Sequence, residues 1–114
     1  MTKLIIADDH TLFREGVVEL LTTFDFIEVV NAFKNGQEVI DYLNLKNEVE
    51  LILLDISMPI LNGIETSKMI VENYPLVKIL MLTMHDTSDY IRQLLEIGVH
   101  GYLLKSTSKD ELKM

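Results

Sequence analysis

Five polar residues stand where short apolar runs of the chain end, and their types suit chemistry on a phosphoryl group. Asp8 and Asp9 follow the first run, Asp55 the third, Thr83 the fourth and Lys105 the fifth. Carboxylates about 5 Å apart repel each other by roughly 3 kcal/mol at an effective dielectric near 20, so a divalent cation between them would be stabilising. Because a hard, all-oxygen site suits Mg²⁺ better than zinc, we predict a magnesium site.

Asp55 is the candidate nucleophile of this set. The apolar run Leu51 to Leu54 leads directly into it, and such a run is typical of a strand buried on both faces of a sheet. A cation there would attract a phosphoryl group, which an aspartate can accept as an aspartyl phosphate. Thr83 and Lys105 could then hold the phosphoryl oxygens. Taken alone, the run fits equally well an Asp55 that only caps the following loop.

These side chains can meet only if their strands lie parallel in one sheet, with the carboxyl ends at one edge. Apolar, β-branched and aromatic runs predict five strands, at 3–7, 26–33, 50–55, 77–82 and 100–104. Helical spacing and cap residues predict helices from residue 11, from residue 35, over 64–73 and 89–97, and after residue 108. This alternation predicts a parallel α/β sheet.

Two local patterns predict details of the helices. In the first helix, apolar residues at helical spacing predict a buried face and charged residues a solvent face. The predicted buried residues are Leu12, Phe13, Val17, Leu20, Leu21 and Phe24, and the charged ones are Arg14, Glu15 and Glu19. Asn35 with Glu38 predicts an N-cap for the second helix, and Gly98 predicts the end of the helix before it.

Composition restricts the class of protein. A chain of 114 residues suits one domain, and the absence of cysteine excludes disulfides and thiolate metal sites. A net charge of -8 without a basic cluster argues against direct binding of nucleic acid. No apolar run approaches the roughly 20 residues of a membrane span. We therefore expect a cytoplasmic protein that contacts neither a membrane nor, by this segment, DNA.

Taken together, the motifs resemble the receiver domain of bacterial two-component response regulators. The resemblance spans essentially the whole chain and rests on Asp8-Asp9, Leu54-Asp55-Ile56-Ser57-Met58-Pro59, Thr83 and Gly101-Tyr102-Leu103-Leu104-Lys105. The segments Asp8-Asp9-His10, Leu82-Thr83-Met84-His85 and His100 to Lys105 resemble the NarL/LuxR-type group. Its members usually carry a helix-turn-helix DNA-binding domain after the receiver. We thus expect residues 1–114 to be a receiver domain, with the output domain missing from this chain.

The resemblance implies a flavodoxin-like, doubly wound sheet of strand order 2-1-3-4-5 with helices on both faces. It implies that Asp55 accepts a phosphoryl group from a sensor histidine kinase. Asp9, Asp55 and the backbone carbonyl of Ser57 would ligate Mg²⁺ directly, and Asp8 would act through water. Thr83 and Tyr102 would form the switch, reporting through the fourth helix, fifth strand and fifth helix. Such a domain is a phosphoacceptor rather than a true enzyme.

The sequence departs from the family pattern at its carboxyl end. Many receivers have proline after the site lysine, often with a cis bond, whereas Ser106 follows Lys105 here, so the geometry of that bond is open. The chain also stops at Met114, soon after the last predicted helix begins. A shortened fifth helix would leave apolar surface uncovered beside the first helix. We therefore expect the chain to associate with itself.

Two other functions use similar residues. Aspartate-nucleophile phosphatases usually place a second acid two residues after the nucleophile, where this chain has Ser57. Interaction modules that work without phosphorylation usually lose an acid or the lysine, and none is lost here. The contexts of His10, His85 and His100 favour solvated helix ends or loops rather than metal ligands, although His85 could line the rim of the site. The receiver interpretation fits best.

Overall fold

The chain forms a five-stranded parallel sheet with the strand order β2-β1-β3-β4-β5, which confirms the predicted flavodoxin-like topology. The computed structural model describes residues 1–46, 48–83 and 88–104, without the side chains of 88–90 and 104. Its elements are β1 Thr2–Ala7, α1 Thr11–Leu21, β2 Ile27–Phe33, α2 Gly36–Asn44, β3 Leu51–Asp55, α3 Gly63–Asn73, β4 Lys78–Thr83, α4 Ser88–Ile97 and β5 Gly101–Leu104. Within these ranges, no helix has the length and apolar character needed to cross a bilayer. The predicted last helix and the Lys105–Ser106 bond lie outside the described residues.

Helices cover both faces of the sheet, as predicted. Alternate residues of each strand point to opposite faces. One set, which includes Ile5, Ile52 and Met81, packs with residues of α2, α3 and α4. The neighbouring positions, which include Leu4 and Leu53, pack with α1. Each such side chain contributes roughly 1.5–3 kcal/mol when fully buried, so the central strands are held firmly from both faces.

The register of the strands brings the predicted polar residues to one edge of the sheet. Ala7 of β1 pairs with Leu54 of β3, so Asp8 and Asp55 follow at the same level. Asp55 in turn pairs with Leu82, and Thr83 is the next residue of β4. Because the strands are parallel, their carboxyl ends lie together, as the sequence predicted.

The buried face of α1 is narrower than predicted. Leu12 is 86% exposed, so its assignment to the core was wrong. It lies about 100° around the helix from Phe13, which packs against the core. The helix also ends at Leu21, and Phe24 lies beyond it, where its ring packs on Phe26. Phe13 packs against the core together with Val17 and Leu21, and Leu12 lies outside this buried stripe.

The predicted caps are present. The Asn35 side chain accepts a hydrogen bond of 2.9 Å from the backbone N–H of Glu38, at the start of α2. Gly98 follows α4 with φ of 113°, in the left-handed region that favours glycine, and its N–H donates to the Leu94 carbonyl. Asn62 caps α3 in the same way as Asn35 caps α2, a role that the sequence analysis did not assign to it. The two asparagine caps fix where the loops at the polar edge of the sheet end.

Candidate functional site

Three of the predicted site residues are buried side by side at the carboxyl edge of the sheet. Asp8, Asp55 and Thr83 are 0%, 2% and 4% exposed. Asp9 is more open, with 36% of its side chain exposed. Burying charged carboxylates costs free energy unless other groups or ions compensate, so their joint burial indicates a binding site rather than a solvated loop.

The carboxylates converge on one small volume. A single ligand atom from each of Asp8, Asp9, His10 and Asp55 lies within 4.8 Å of the other three. Oxygen donors in that arrangement are the ligands that Mg²⁺ prefers, so the donor set fits the predicted metal. Ser57 lines the open depression beside Asp9, which has a volume of about 490 Å³. Of the predicted magnesium ligands, Asp9 and Ser57 border this solvent-accessible space, and Asp8 and Asp55 are buried.

His10 is the site residue that the sequence analysis missed. It is the N-cap of α1, in agreement with the predicted position at a helix end. Its ring, however, lies against the acids. Its Nδ1 is 3.1 Å from Asp8 Oδ1, 3.3 Å from Asp9 Oδ1 and 3.9 Å from Asp55 Oδ2. The available signal was its position directly after the acidic pair, at a strand-to-helix joint. The ring of His100, in contrast, accepts a hydrogen bond from the Ile79 N–H.

The turn between β1 and α1 is held by backbone and side-chain hydrogen bonds. The His10 N–H donates to Asp8 Oδ1 at 2.8 Å, and the Arg14 guanidinium donates to the Asp8 carbonyl at 2.6 Å. Arg14 was predicted to face solvent, and its half-buried contact with Asp8 corrects that interpretation. The reason is that the first turn of α1 rises directly from the end of β1, within reach of a long side chain. Asp8 is therefore fixed from two directions.

The loop after Asp55 is fixed by a close contact between α3 and β3. Gly63 donates its N–H to the Ile56 carbonyl at 2.8 Å, and a Cβ at Gly63 would overlap the Asp55 carbonyl. Met58 is 8% exposed and anchors the loop in the core. Ile60 has a φ of 70°, which is unusual for a β-branched residue, and its side chain is 80% exposed. The backbone around Asp55 is thus tightly constrained.

Of the remaining predicted residues, the structure describes Tyr102 but not Lys105. Tyr102 lies on the edge strand β5, paired with Met81, and is 41% exposed. Thr83 pairs with Leu104 at the level of the acidic site. Lys105 and His85 lie outside the described residues. The structure therefore brings Asp8, Asp9, Asp55 and Thr83 to one edge, with Tyr102 exposed on the outer strand beside it.

Comparisons with known proteins agree with this geometry. A family model described as response regulator receiver domain matches residues 4–114. The transcriptional regulatory protein LnrK of Bacillus subtilis is 41% identical over 112 residues, which cover 98% of this chain and 50% of LnrK. The isolated receiver domain of RcsB from Salmonella enterica serovar Typhimurium, solved with phosphomimetic BeF3-, superimposes with a TM-score of 0.88 at 28% identity. That match covers 98% of this chain and 83% of the RcsB chain.

A two-component response regulator of the LuxR family from Aurantimonas gives the same TM-score of 0.88 at 28% identity, covering 99% of this chain and 81% of that one. The chain spans about half the length of the curated relatives that it matches. A match over nearly the whole chain shows the family and not only the fold. The chain belongs to the response regulator receiver domains, in the NarL/LuxR-type group.

Proposed function

We propose that this domain is a phosphorylation-dependent switch in which Asp55 accepts a phosphoryl group from a phosphohistidine of a sensor kinase. The observation that carries the proposal is the buried Asp55 carboxylate, with ligand atoms of Asp8 and Asp9 within 4.8 Å. A carboxylate surrounded by other carboxylates attracts a cation, and a cation makes the same place attractive to a phosphoryl group. Asp55 alone of these acids ends a central strand.

The chain's own residues would divide the work of this site. Asp9, Asp55 and the Ser57 carbonyl would hold Mg²⁺ directly, and Asp8 would act through water. When bound, Mg²⁺ would neutralise charge on the phosphoryl oxygens. Thr83 and Lys105 would contact those oxygens from the neighbouring strands. Phosphoryl transfer depends mostly on positioning and charge, so little further chemistry is required of the protein.

The transfer itself is a substitution at phosphorus. An Asp55 carboxylate oxygen forms the new P–O bond while the P–N bond of the phosphohistidine breaks. The electron pair of that P–N bond stays on the imidazole nitrogen of the kinase. The leaving imidazole is neutral because its other ring nitrogen carries one proton. Water would later attack the same phosphorus and break its bond to Asp55, which releases inorganic phosphate and returns Asp55 to a carboxylate.

The signal would pass from Thr83 to Tyr102 and on to the surface that α4 and β5 share with the helix predicted after residue 108. The apolar residue Leu95 of α4, at 54% exposure, supports a docking role for this surface. The output would be control of transcription in the cytoplasm by a DNA-binding domain beyond this chain.

Self-association is also part of the proposal. It is supported by an apolar cavity of about 190 Å³ beside α1, with Phe13 in its lining.

The test is incubation with acetyl phosphate and Mg²⁺, followed by intact-mass measurement. Wild type should gain the mass of one phosphoryl group, and Asp55→Asn should gain none. Asp25→Asn is the matched control, because Asp25 is an exposed aspartate in the turn before β2 and should leave the gain unchanged. A phosphoryl group that still attaches to Asp55→Asn would overturn the assignment.

A further inference from the structure

We propose that His10 is a nitrogen ligand of the acidic site, beside Asp9 and Asp55, and lets the site bind a first-row transition-metal ion, such as Zn²⁺ or Co²⁺, more tightly than Mg²⁺. The inference rests on the proposed function in one respect, since it assumes that Asp8, Asp9 and Asp55 hold a cation. It adds a nitrogen donor to a site that would otherwise offer oxygen only. The observation behind it is the position of the His10 ring among the three carboxylates.

The interatomic distances suit ligands that share one ion. Zinc lies about 2.0–2.2 Å from imidazole nitrogen and carboxylate oxygen, so two neighbouring ligands of one ion are about 3–3.5 Å apart. His10 Nδ1 is 3.1 Å from the Asp8 oxygen and 3.3 Å from the Asp9 oxygen. The distance of 3.9 Å to Asp55 Oδ2 requires only a small shift. All of these contacts involve the same ring nitrogen, Nδ1.

The backbone holds His10 in this position without any ion. Its backbone is extended, with φ of -85° and ψ of 98°, and it serves as the N-cap of α1. Its N–H donates to Asp8 Oδ1, and Arg14 holds the Asp8 carbonyl from the other side. A ligand whose backbone is already fixed loses only side-chain freedom on binding, which favours affinity.

The chemistry of the donors explains the preference. Carboxylates and carbonyls suit Mg²⁺, whereas imidazole suits zinc and its neighbours in the first transition row. For ligation, Nδ1 must offer its lone pair, so the ring proton must lie on Nε2. The His10 side chain is 58% exposed, which lets Nε2–H hydrogen-bond to water. The same pocket could thus hold Mg²⁺ by oxygens alone, or a transition-metal ion by oxygens and Nδ1, and the two ions would compete.

The experiment compares the metal affinities of wild type, His10→Asn and His100→Asn. Asparagine keeps a good N-cap residue but removes the imidazole. Calorimetry gives the dissociation constants for Mg²⁺ and Zn²⁺, and the visible absorption of bound Co²⁺ reports its ligands. We expect His10→Asn to weaken Zn²⁺ and Co²⁺ binding by about tenfold or more and to change the Co²⁺ spectrum. Its Mg²⁺ affinity and all affinities of His100→Asn should stay near wild type.

The possible outcomes separate the two proposals. An equal loss of Mg²⁺ and Zn²⁺ affinity in His10→Asn would reduce His10 to a positioning residue for Asp8 and overturn the ligand assignment. Unchanged Zn²⁺ and Co²⁺ binding in His10→Asn would overturn it as well. If wild type binds Zn²⁺ through His10 but gains no phosphoryl group with Mg²⁺, the proposed function fails while the ligand assignment stands.

Discussion

The starts of α2 and α3 are built alike, yet only one of them touches the site. Each begins with asparagine, glycine, a variable residue and glutamate. In each, the asparagine side chain accepts a hydrogen bond of 2.9 Å from the glutamate N–H, at Asn35–Glu38 and at Asn62–Glu65. The local structure is therefore the same at the two places.

What the two glycines meet is different. A Cβ on Gly36 would overlap the Thr66 hydroxyl, so that glycine lets α2 pack closely on α3. A Cβ on Gly63 would overlap the Asp55 carbonyl, so that glycine lets α3 pack closely on the end of β3. The same short pattern thus makes a packing joint in one place and positions the phosphoacceptor in the other. Location in the fold, and not the pattern, decides which role it has.

The largest effect should come from alanine at these glycines. Overpacking usually costs about 1–3 kcal/mol, and we expect about 3 kcal/mol or more for Gly63→Ala because a backbone carbonyl cannot rotate aside. Gly36→Ala also meets the Leu61 carbonyl, which is not among the predicted ligands of the site. We expect both variants to lose free energy of unfolding in urea, and only Gly63→Ala to lose phosphorylation of its folded fraction.

Circular dichroism and intact mass after acetyl phosphate treatment measure those two properties in the same samples. Gly36→Ala serves as the control for general destabilisation. If Gly36→Ala remained folded but lost phosphorylation as completely as Gly63→Ala, the conclusion that only Gly63 positions Asp55 would be wrong.

Asp9→Ala sharpens the comparison by disabling the metal site without changing either joint. Binding to the folded state adds about 2.7 kcal/mol of stability at a hundredfold excess of ligand over its dissociation constant. Wild type and Gly36→Ala should gain this stability from Mg²⁺, whereas Asp9→Ala should not. In EDTA the melting temperature of Asp9→Ala should exceed that of wild type, since one of three neighbouring carboxylates is gone. Differential scanning fluorimetry measures the melting temperature with and without Mg²⁺. An equal rise in wild type and in Asp9→Ala would refute the metal assignment.

Much of this arrangement could be predicted from the sequence, for a physical reason. Strands buried on both faces need apolar residues at every position, so the first polar residue after each run marks the strand end. In a parallel sheet that rule alone brings Asp8, Asp55 and Thr83 to one edge. The cap at Asn35 was equally predictable, because an asparagine three residues before a glutamate acts through purely local hydrogen bonds.

The features that the sequence analysis missed depend on side-chain direction. Composition gives no way to tell that the His10 ring turns toward the acids, or that Arg14 reaches the Asp8 carbonyl. Leu12 was misassigned because hydrophobicity alone does not say which of two adjacent residues faces the core. The contact of Gly63 with Asp55 is likewise tertiary and has no local signature.

The smallest effect in this comparison concerns the caps themselves. Replacing an N-cap asparagine by alanine costs about 1 kcal/mol, so Asn35→Ala and Asn62→Ala should each lower the urea midpoint by a similar, modest amount. Asn35 is 6% exposed and Asn62 is more open, so the Asn35 variant should be the less stable of the two. For phosphorylation the order should be reversed, with the larger effect in the Asn62 variant. Asn62 lines the depression beside Asp9, so its loss should slow phosphorylation by acetyl phosphate.

The Asn35→Ala variant should be phosphorylated at the wild-type rate, because its cap lies at the joint between α2 and α3. The rate is read from the phosphorylated fraction in intact-mass spectra taken over time. Glycine at each position is the informative control, since it costs only a few tenths of a kcal/mol as an N-cap and removes the same side chain. If Asn62→Gly is stable but slow, the side chain itself supports the site. Equal rates for all four variants would mean that Gly63 alone links α3 to Asp55, and that the asparagine caps do nothing beyond starting their helices.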